Sequence, residues 1–254
     1  MGCAVVRAIQ EAPDVELIGA VDKPGSARLG KDAGAVVGAD ELGIAITDDL
    51  AAALKRNSVI IDFTHPEASL GFLKCAAKNR TPMVIATTGF SAIQQAEVKR
   101  LARHTPTLVA ANTSLGLNIL LSLVADAAKR LGDDYDIEII EAHHRFKKDA
   151  PSGTALALGQ SAANALGRDL GKVMVNARKG IVGERSKKEI ALLSVRAGDI
   201  VGEHTVIFGG IGERIELIHR AHSRDTFAKG ALRAAKWLAK KRPGLYNMRN
   251  VLGL

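Results

Sequence analysis

Short apolar runs alternate with helical patterns along the first part of the chain, up to about residue 114. The runs are rich in β-branched residues and comprise VELIGAVD (15–22), SVIIDFT (58–64), PMVIATTG (82–89) and PTLVAANTS (106–114). The segments between them include SAIQQAEVKRLAR (91–103), which has the apolar period of a helix and a serine at its start as a cap. This alternation predicts βαβ units and a parallel sheet whose strands are buried on both faces.

The pattern changes after residue 114. A helical segment, GLNILLSLVADAAKRLG (116–132), is followed by the alternating, strand-like YDIEIIEAHH (135–144) and by a second helical segment at 154–166. Three further strand-like segments lie at 189–198, 199–210 and 213–223, and the turns between them, Gly198-Asp199 and Gly210-Ile211-Gly212, are typical of hairpins. This part is predicted to be an α+β block with a mostly antiparallel sheet, and 224–241 to be a final helix.

The composition supports an α/β protein and argues against several functions. Aromatic residues make up only 4% of a chain that is 47% hydrophobic, so the core depends on aliphatic side chains. The net charge of +8 comes without a basic run interleaved with aromatic residues, so we expect affinity for small anions and no nucleic acid partner. The uncharged run 105–125 contains a proline, a glycine and two asparagines, so no membrane span is expected. Two cysteines without CxxC spacing favour a reduced, cytoplasmic location.

Polar residues at the strand ends form the first candidate site, because ligands of open parallel sheets bind beyond the carboxyl ends of the strands. Asp22 ends an early strand, where a dinucleotide fold places the acid that binds a ribose hydroxyl, and Lys23 could meet a 2′-phosphate. A simpler interpretation is that Asp22 caps a turn. The glycine-rich loop of such a fold follows a first strand, whereas this chain passes from Met1-Gly2 directly into a helical pattern. We therefore expect the first strand and most of this loop to be missing.

The stretch EAHHRFKKDAPSGTA (141–155) is the second candidate site and holds the densest chemistry. His143 and His144 end a predicted strand, and adjacent strand residues face opposite sides, so the two histidines can divide roles. Histidine titrates near neutrality and suits proton transfer, whereas Lys147 can donate a proton or pair with a carboxylate.

The next helix opens at Gly153 and Thr154, and its N-terminal N–H groups suit a carboxylate or a phosphate. A metal site is a rival interpretation of the histidine pair, although adjacent histidines and the lack of an HExxH motif disfavour it. The plain alternative is a solvated basic loop followed by an ordinary capped helix.

The same stretch resembles the signature E-x-H-H-x-x-K-x-D-x-P-S-G-T-A of the bacterial 4-hydroxy-tetrahydrodipicolinate reductases, also called dihydrodipicolinate reductases. The resemblance extends over nearly the whole chain, through VIIDFTHPE (59–67), VIATTGF (84–90), AANTSLGLN (110–118), VRAGDIVGEHTVIF (195–208) and HSRDTFAKGAL (222–232). It implies the reduction of this small cyclic dicarboxylate to tetrahydrodipicolinate with NADH and/or NADPH, on the diaminopimelate route of lysine biosynthesis.

The resemblance also implies two domains and a homotetramer. Residues 1–114 and 224–254 would form a Rossmann-like, parallel-sheet dinucleotide-binding domain, without its first strand and most of its glycine loop. Residues 115–223 would form the α+β domain for substrate binding and tetramerisation.

Site residues are carried over from the resemblance position by position. His143 resembles the family's proton donor/acceptor and Lys147 its proton donor. The residues that resemble substrate contacts are His144, Gly153 and Thr154. The residues that resemble cofactor contacts are Met1, Asp22, Lys23, Ala86, Thr87, Thr88, Ala110, Ala111, Asn112 and Thr113.

The chain departs from the family pattern at some positions. The G-x-x-G-x-M-G loop is represented only by Met1-Gly2, and Thr113 and His65 differ from the phenylalanine and arginine of some members. Two alternatives stay open: another nicotinamide-dependent dehydrogenase of the same architecture, and a catalytically impaired ligand-binding copy that lacks the phosphate loop.

Overall fold

The computed structural model describes all 254 residues, which form two compact units, Met1–Leu115 with Arg224–Leu254 and Gly116–Ser223. The helices are α1 Gly2–Gln10, α2 Ala33–Val36, α3 Leu50–Ala53, α4 Pro66–Asn79, α5 Ala92–Leu101, α6 Leu115–Leu131, α7 Gly153–Ala165, α8 Leu170–Val173, α9 Asp225–Leu238 and α10 Met248–Leu252. The strands are β1 Ala20–Val21, β2 Ile46–Thr47, β3 Ile60–Asp62, β4 Met83–Ile85, β5 Pro106–Val109, β6 Asp136–His143, β7 Met174–Val175, β8 Ile190–Arg196, β9 Gly202–Gly209, β10 Arg214–Ala221 and β11 Gly244–Tyr246.

A four-stranded sheet organises the first unit, in the order β11-β5-β4-β3 with every pair parallel. Helices α4 and α5 pack on one face around Met83 and Ile85, while α9 and α10 pack on the other around Val84 and Leu108. The predicted βαβ alternation is confirmed. The strands are shorter than the apolar runs that predicted them, because only the middle of each run pairs with a neighbour.

The loop after β5 packs closely against α9. A Cβ added to Gly230 would lie 1.8 Å from the carbonyl oxygen of Thr113, so only glycine allows this approach. The Thr113 hydroxyl donates to the carbonyl oxygen of Phe227, at 2.6 Å. Helix α9 therefore fixes the backbone at one of the predicted cofactor segments.

Strands β1 and β2 form a separate parallel pair. The expected long strand over 15–22 is wrong in length, since only Ala20–Val21 pairs with a neighbour. Helix α1 begins at Gly2, and no strand of the described chain pairs with the second edge of β1 or of β3. A cavity of about 430 Å³, bordered mostly by apolar side chains, is lined by residues of α1, β1 and β3.

The sheet of the second unit has the order β10-β9-β6-β8-β7. The turn at Gly210-Ile211-Gly212 does join an antiparallel hairpin, β9–β10. The hairpin predicted at Gly198-Asp199 is wrong, because β6 lies between β8 and β9. The α+β class is confirmed, but the sheet is mixed rather than mostly antiparallel, since β6, β8 and β7 run parallel to one another.

One face of this sheet is covered by α6 and α7. Its core includes Val124 and Leu158 of these helices, together with Ile137, Ile139 and Phe208 of the strands. Since strand residues alternate between faces, the next positions on this side of β6 are Glu141 and His143. None of the helices in either unit is both long and apolar enough to cross a membrane.

Candidate active site

A buried carboxylate anchors the end of β6. Glu141 is fully buried, and its Oε2 lies 2.6 Å from Nδ1 of His143. Its Oε1 accepts the backbone N–H of Ser152 at 3.1 Å. Glu141 therefore connects the last residue of β6 with the residue that precedes α7.

Arg196 supplies the positive charge that Glu141 needs. It lies opposite His143 in the parallel pair β6–β8, and its two terminal nitrogens donate to the two Glu141 oxygens at 2.8 Å each. Burial alone would raise the Glu141 pKa, but hydrogen bonds from Arg196, Ser194 and His143 outweigh it and lower that pKa to about 2. The carboxylate is thus ionised at neutral pH. We call Glu141, His143, Ser152 and Arg196 the Glu141 cluster.

The ring of His143 is nearly enclosed, with 12% of its side chain exposed. Burial lowers its pKa below the ordinary value, and the hydrogen bond to Glu141 acts in the opposite direction. A Cβ added to Gly202 would lie 3.1 Å from Nε2 of His143, so β9 closes one side of the ring. His143 therefore presents an imidazole, a group suited to proton transfer, in a mostly dry environment.

A second histidine, His204, contacts the ring of His143. The two rings meet edge to face at 5.3 Å, and His204 is 4% exposed. Its Nε2 lies 3.1 Å from the hydroxyl of Ser152. Burial, with help from His143, lowers the His204 pKa to about 3, so His204 is neutral during any proton transfer at His143.

Lys147 lies in the loop between β6 and α7, with 19% of its side chain exposed. Its Nζ contacts both carboxylate oxygens of Asp149 at 2.8 Å, and this hydrogen bond lowers the Asp149 pKa. Arg196 also donates to the Asp149 carbonyl oxygen at 2.7 Å, so the Lys147 loop is tied to the Glu141 cluster. The neighbouring His144 is half-buried, and its Nδ1 makes no hydrogen bond within the chain.

The N-terminus of α7 adjoins the same cluster. Ser152 is the N-cap, and its hydroxyl accepts the N–H of Ala155 at 3.1 Å. A Cβ added to Gly153 would meet no atom within 4 Å, so its Cα borders open space, while Thr154 is half-buried. The first turn can therefore face an anion with its N–H groups. The structure thus brings together His143, Lys147, Ser152 and this first turn within one unit.

The predicted cofactor residues all lie in the first unit, at strand ends and at the start of α1. Asp22 follows β1, where it accepts the Lys23 N–H at 2.8 Å and the Ser26 hydroxyl at 2.7 Å. The Ser26 hydroxyl and then the Lys23 N–H lower the Asp22 pKa. Arg28 approaches the same carboxylate at 3.8 Å, and Lys23 is exposed. Asp22 therefore does cap a turn, and its carboxylate is still 30% exposed and ionised for a ligand.

A buried carboxylate at the end of β3, that of Asp62, holds a residue that follows β4. Asp62 accepts hydroxyl groups of Thr64, Ser69 and Thr87, and the contact from Ser69 is a short one. The Thr87 side chain is therefore engaged inside the unit and is only 4% exposed. Its neighbours differ in accessibility: Ala86 is buried and Thr88 is exposed.

The polar side chains that follow β5 are also engaged within the unit. Asn112 accepts the Ser114 N–H through its Oδ1 at 2.9 Å, and the Thr113 side chain is 1% exposed. Ala110 is buried and Ala111 exposed. At the chain start, Met1 is the N-cap residue of α1 without a side-chain cap. These segments can meet a cofactor mainly through backbone groups.

Sequence reasoning missed Glu141, Arg196 and His204 as site residues. Glu141 could have been found, because it precedes His143 by two and shares its face of a strand. His204 could not have been found from local sequence, because its register opposite Glu141 in β6–β9 depends on the topology. No group of three or more His, Cys, Asp or Glu side chains is arranged to hold a metal ion.

Known proteins with similar sequences support one family. The chain matches the models "Dihydrodipicolinate reductase, N-terminus" over residues 1–113 and "Dihydrodipicolinate reductase, C-terminus" over residues 116–252. It is 51% identical over 253 residues to the 4-hydroxy-tetrahydrodipicolinate reductase of Syntrophus aciditrophicus, covering 100% of this chain and 94% of that protein. The corresponding protein of Thiobacillus denitrificans is 52% identical over 254 residues, with 100% and 95% covered.

A solved structure supports the fold. The dipicolinate-bound dihydrodipicolinate reductase of Paenisporosarcina sp. TG-14 superposes with a TM-score of 0.74, at 23% identity, covering 96% of this chain and 92% of that one. The fold, the matched models and the relatives over the full chain agree. The chain belongs to the dihydrodipicolinate reductase family.

Proposed function

We propose that this chain reduces 4-hydroxy-tetrahydrodipicolinate to tetrahydrodipicolinate with NADH or NADPH, in the diaminopimelate route of lysine biosynthesis. The observation that carries the proposal is the arrangement of His143 and Lys147 beside the N-terminus of α7, held by one buried carboxylate. The names of the relatives at about half identity support the substrate.

The chemistry needs a hydride and one proton. The substrate takes the hydride on its ring and loses its hydroxyl, which leaves with a proton as water. A nicotinamide cofactor, which family membership implies, supplies the hydride when bound and is oxidised. The proton comes from the protein, and His143 and Lys147 are the groups placed to provide it.

The two proton-transfer groups differ in what holds them. His143 is held in a nearly closed setting by the contact of its Nδ1 with Glu141, and Lys147 is paired with Asp149. A cation beside the ring would stabilise negative charge that develops there during reduction. The neutral His204 adds no competing charge next to His143.

The first turn of α7 would bind a substrate carboxylate. Gly153 leaves the approach open, and the helix places its N–H groups and the positive end of its dipole there. His144 adds an imidazole whose Nδ1 is not used inside the chain. Two carboxylates on a small ring suit this concentration of donors and positive charge.

The first unit offers groups that fit an adenine dinucleotide. The ionised Asp22 suits a ribose hydroxyl, while Lys23 and Arg28 beside it suit a 2′-phosphate. Because carboxylate and cations lie on one turn, we propose that both cofactors are used. A hundredfold difference between the KM values for NADH and NADPH would contradict this part.

The two units would then divide the work, with cofactor binding in the first and substrate binding in the second. We also propose a cytoplasmic homotetramer. In support, the sheet face opposite α6 and α7 exposes apolar side chains, Val195 at 45% and Ile218 at 43%. Light scattering coupled to size exclusion tests this, and a monomer at micromolar concentration would contradict it.

The central test is oxidation of NADH and of NADPH, followed at the nicotinamide absorbance, with and without the 4-hydroxy-tetrahydrodipicolinate substrate. Oxidation should depend on the substrate, and the product should be tetrahydrodipicolinate. Oxidation with 2-oxo acids and ammonia instead would favour an amino-acid dehydrogenase on the same architecture.

Calorimetry tests whether the chain binds dipicolinate and whether it binds a nicotinamide cofactor. A chain that binds dipicolinate but neither nicotinamide cofactor would be a ligand-binding protein rather than a reductase. This measurement is needed because an apolar cavity lies beside β1 and because α1 begins without a side-chain cap.

A further inference from the structure

We propose that Glu141 is the positioning residue of the site: it fixes the tautomer of His143 and aligns His143, Lys147 and the first turn of α7 as one unit. The inference rests on the function proposed above, because it concerns how that reaction's proton donor is held. Because Glu141 is fully buried, it would act through His143, Arg196 and Ser152.

The carboxylate of Glu141 is bonded through both of its oxygens. Glu141 is fully buried, and four contacts with its two oxygens have defined distances. Oε2 contacts Nδ1 of His143 at 2.6 Å and one Arg196 nitrogen at 2.8 Å. Oε1 contacts the other Arg196 nitrogen at 2.8 Å and the Ser152 N–H at 3.1 Å. A hydrogen bond from Ser194 adds to these contacts, so the orientation of the carboxylate is determined by the fold.

The contact with Glu141 determines which tautomer His143 adopts. An ionised carboxylate only accepts hydrogen bonds, so Nδ1 of His143 must carry the proton that joins it to Glu141. The proton exchanged with the substrate is then the one on Nε2. A ring in the other tautomer would turn a bare Nδ1 toward the carboxylate and repel it.

Glu141 and Arg196 also connect the other parts of the site. Arg196 reaches past Glu141 to the carbonyl oxygen of Asp149, whose side chain holds Lys147. Ser152, which Glu141 also holds, is the N-cap of α7. Removing the Glu141 charge would therefore loosen the proton donor, the lysine loop and the helix start together.

Charged and titratable groups face His143 from every element around it. Glu141 is on the same strand, Arg196 is on β8, His204 is on β9 and Lys147 is in the following loop. Glu141 is the only one of these with a negative charge. Its loss should shift the alkaline limb of kcat to lower pH, since the remaining charges and burial disfavour the protonated ring.

Glu141→Gln tests the proposal, with Glu138→Gln as the matched control. Glu138 lies on the same strand and is paired with two arginines, Arg178 and Arg185, but on the opposite face. We expect kcat of Glu141→Gln to fall by about 100-fold, within the range for general acid catalysis, with a smaller change in KM. The control should keep the wild-type pH profile. Arg196→Lys keeps the charge but loses one of two donors, so we expect a loss of about tenfold.

Nitrogen-15 NMR of the histidine-labelled wild-type protein measures the tautomer of His143 directly, without any substitution. Above the His143 pKa, the ring should carry its proton on Nδ1. In Glu141→Gln the signal should move toward the Nε2–H tautomer.

The outcomes separate this proposal from the function it rests on. If the wild-type enzyme is active but its His143 is an Nε2–H tautomer, the positioning role of Glu141 is wrong. Wild-type kcat and pH profile in Glu141→Gln, or an equal loss in Glu138→Gln, also overturn it. If the wild-type protein fails to reduce the substrate, the proposed function fails, while the tautomer is still measured. If Glu141→Gln does not fold, the wild-type tautomer decides the question.

Discussion

The two units hold their candidate residues by different kinds of contact. In the second unit, Glu141 is fully buried and is bonded to Ser152, 11 residues away, and to Arg196, 55 residues away. In the first unit, the side chain of Asp22 is held by near neighbours in sequence, Lys23, Ser26 and Arg28. Contacts distant in sequence fix the buried carboxylate of Glu141, whereas contacts close in sequence leave the carboxylate of Asp22 partly exposed. Substitutions in and around the Glu141 cluster should therefore change the chemistry or the stability, and a substitution of Asp22 should change binding alone.

The largest effect should follow removal of a proton-transfer group. In His143→Ala or Lys147→Ala, we expect kcat to fall by about 10²–10⁴-fold, because general acid catalysis contributes that much. Circular dichroism should show an unchanged fold. Lys148→Ala, which removes the exposed neighbouring lysine, is the control and should keep its kcat. Near wild-type turnover in both single variants would show that His143 and Lys147 are not the proton-transfer groups.

A large effect on stability should come from His204. Its pKa is about 3 in the folded protein, and about 6.5 is the ordinary value. The unfolded chain therefore takes up a proton at higher pH than the folded one, and stability is lost as pH falls from 6.5 toward 3. Over pH 6.5 to 4 the loss from this residue is about 3 kcal/mol.

Urea unfolding at several pH values measures this loss. His204→Gln, which cannot titrate, should lose less stability on acidification than the wild-type protein. The exposed His104→Gln is the control and should leave the slope unchanged. Parallel pH curves for wild type and His204→Gln would show that the second unit does not bury this histidine as described.

A smaller effect should come from Gly202→Ala on β9. The new methyl group would lie 3.1 Å from Nε2 of His143, closer than most such contacts, so the ring must move. We expect kcat to fall by about tenfold with the urea midpoint nearly unchanged. Gly209→Ala on the same strand meets no atom within 4 Å and is the control. An unchanged kcat in Gly202→Ala would mean that the position of the ring is less sensitive than its contacts indicate.

The sequence predicted much of the fold but only part of the site. Strand β6 and the helices on either side of it follow from local periodicity, and so does the Ser91 cap, which accepts the Gln94 N–H. His143 and Lys147 could be selected because the motif is dense. The role of Arg196 could not, because it depends on β8 lying beside β6. A glycine-containing turn at Gly198-Asp199 has the same local pattern whether the next strand pairs at once or crosses its neighbour.

The first unit shows the opposite limitation. Asp22 was located correctly at a strand end, yet β1 is only two residues long, since pairing depends on which strands are present beside it. The engagement of Thr87 with Asp62 and of Thr113 with Phe227 also joins residues far apart in sequence. Local pattern therefore located the strand ends that carry the candidate cofactor residues, but not which of their side chains are exposed.

The smallest effect should follow Asp22→Asn, and it sharpens the comparison from the side of the first unit. The amide keeps the shape of the carboxylate but removes the charge that would accept a ribose hydroxyl. We expect the KM for NADH to rise by up to about tenfold, since a hydrogen bond to a charged group contributes about 1.5 kcal/mol. The kcat, the KM for the dicarboxylate and the urea midpoint should stay close to wild type, because the partly exposed Asp22 side chain contacts only near neighbours in sequence. Steady-state kinetics with NADH varied, set beside Asp14→Asn as an exposed carboxylate control paired with Lys236, measure this difference. A fall in kcat as large as that of His143→Ala would mean that the first unit, too, takes part in fixing the reacting groups, and the contrast between the units would fail.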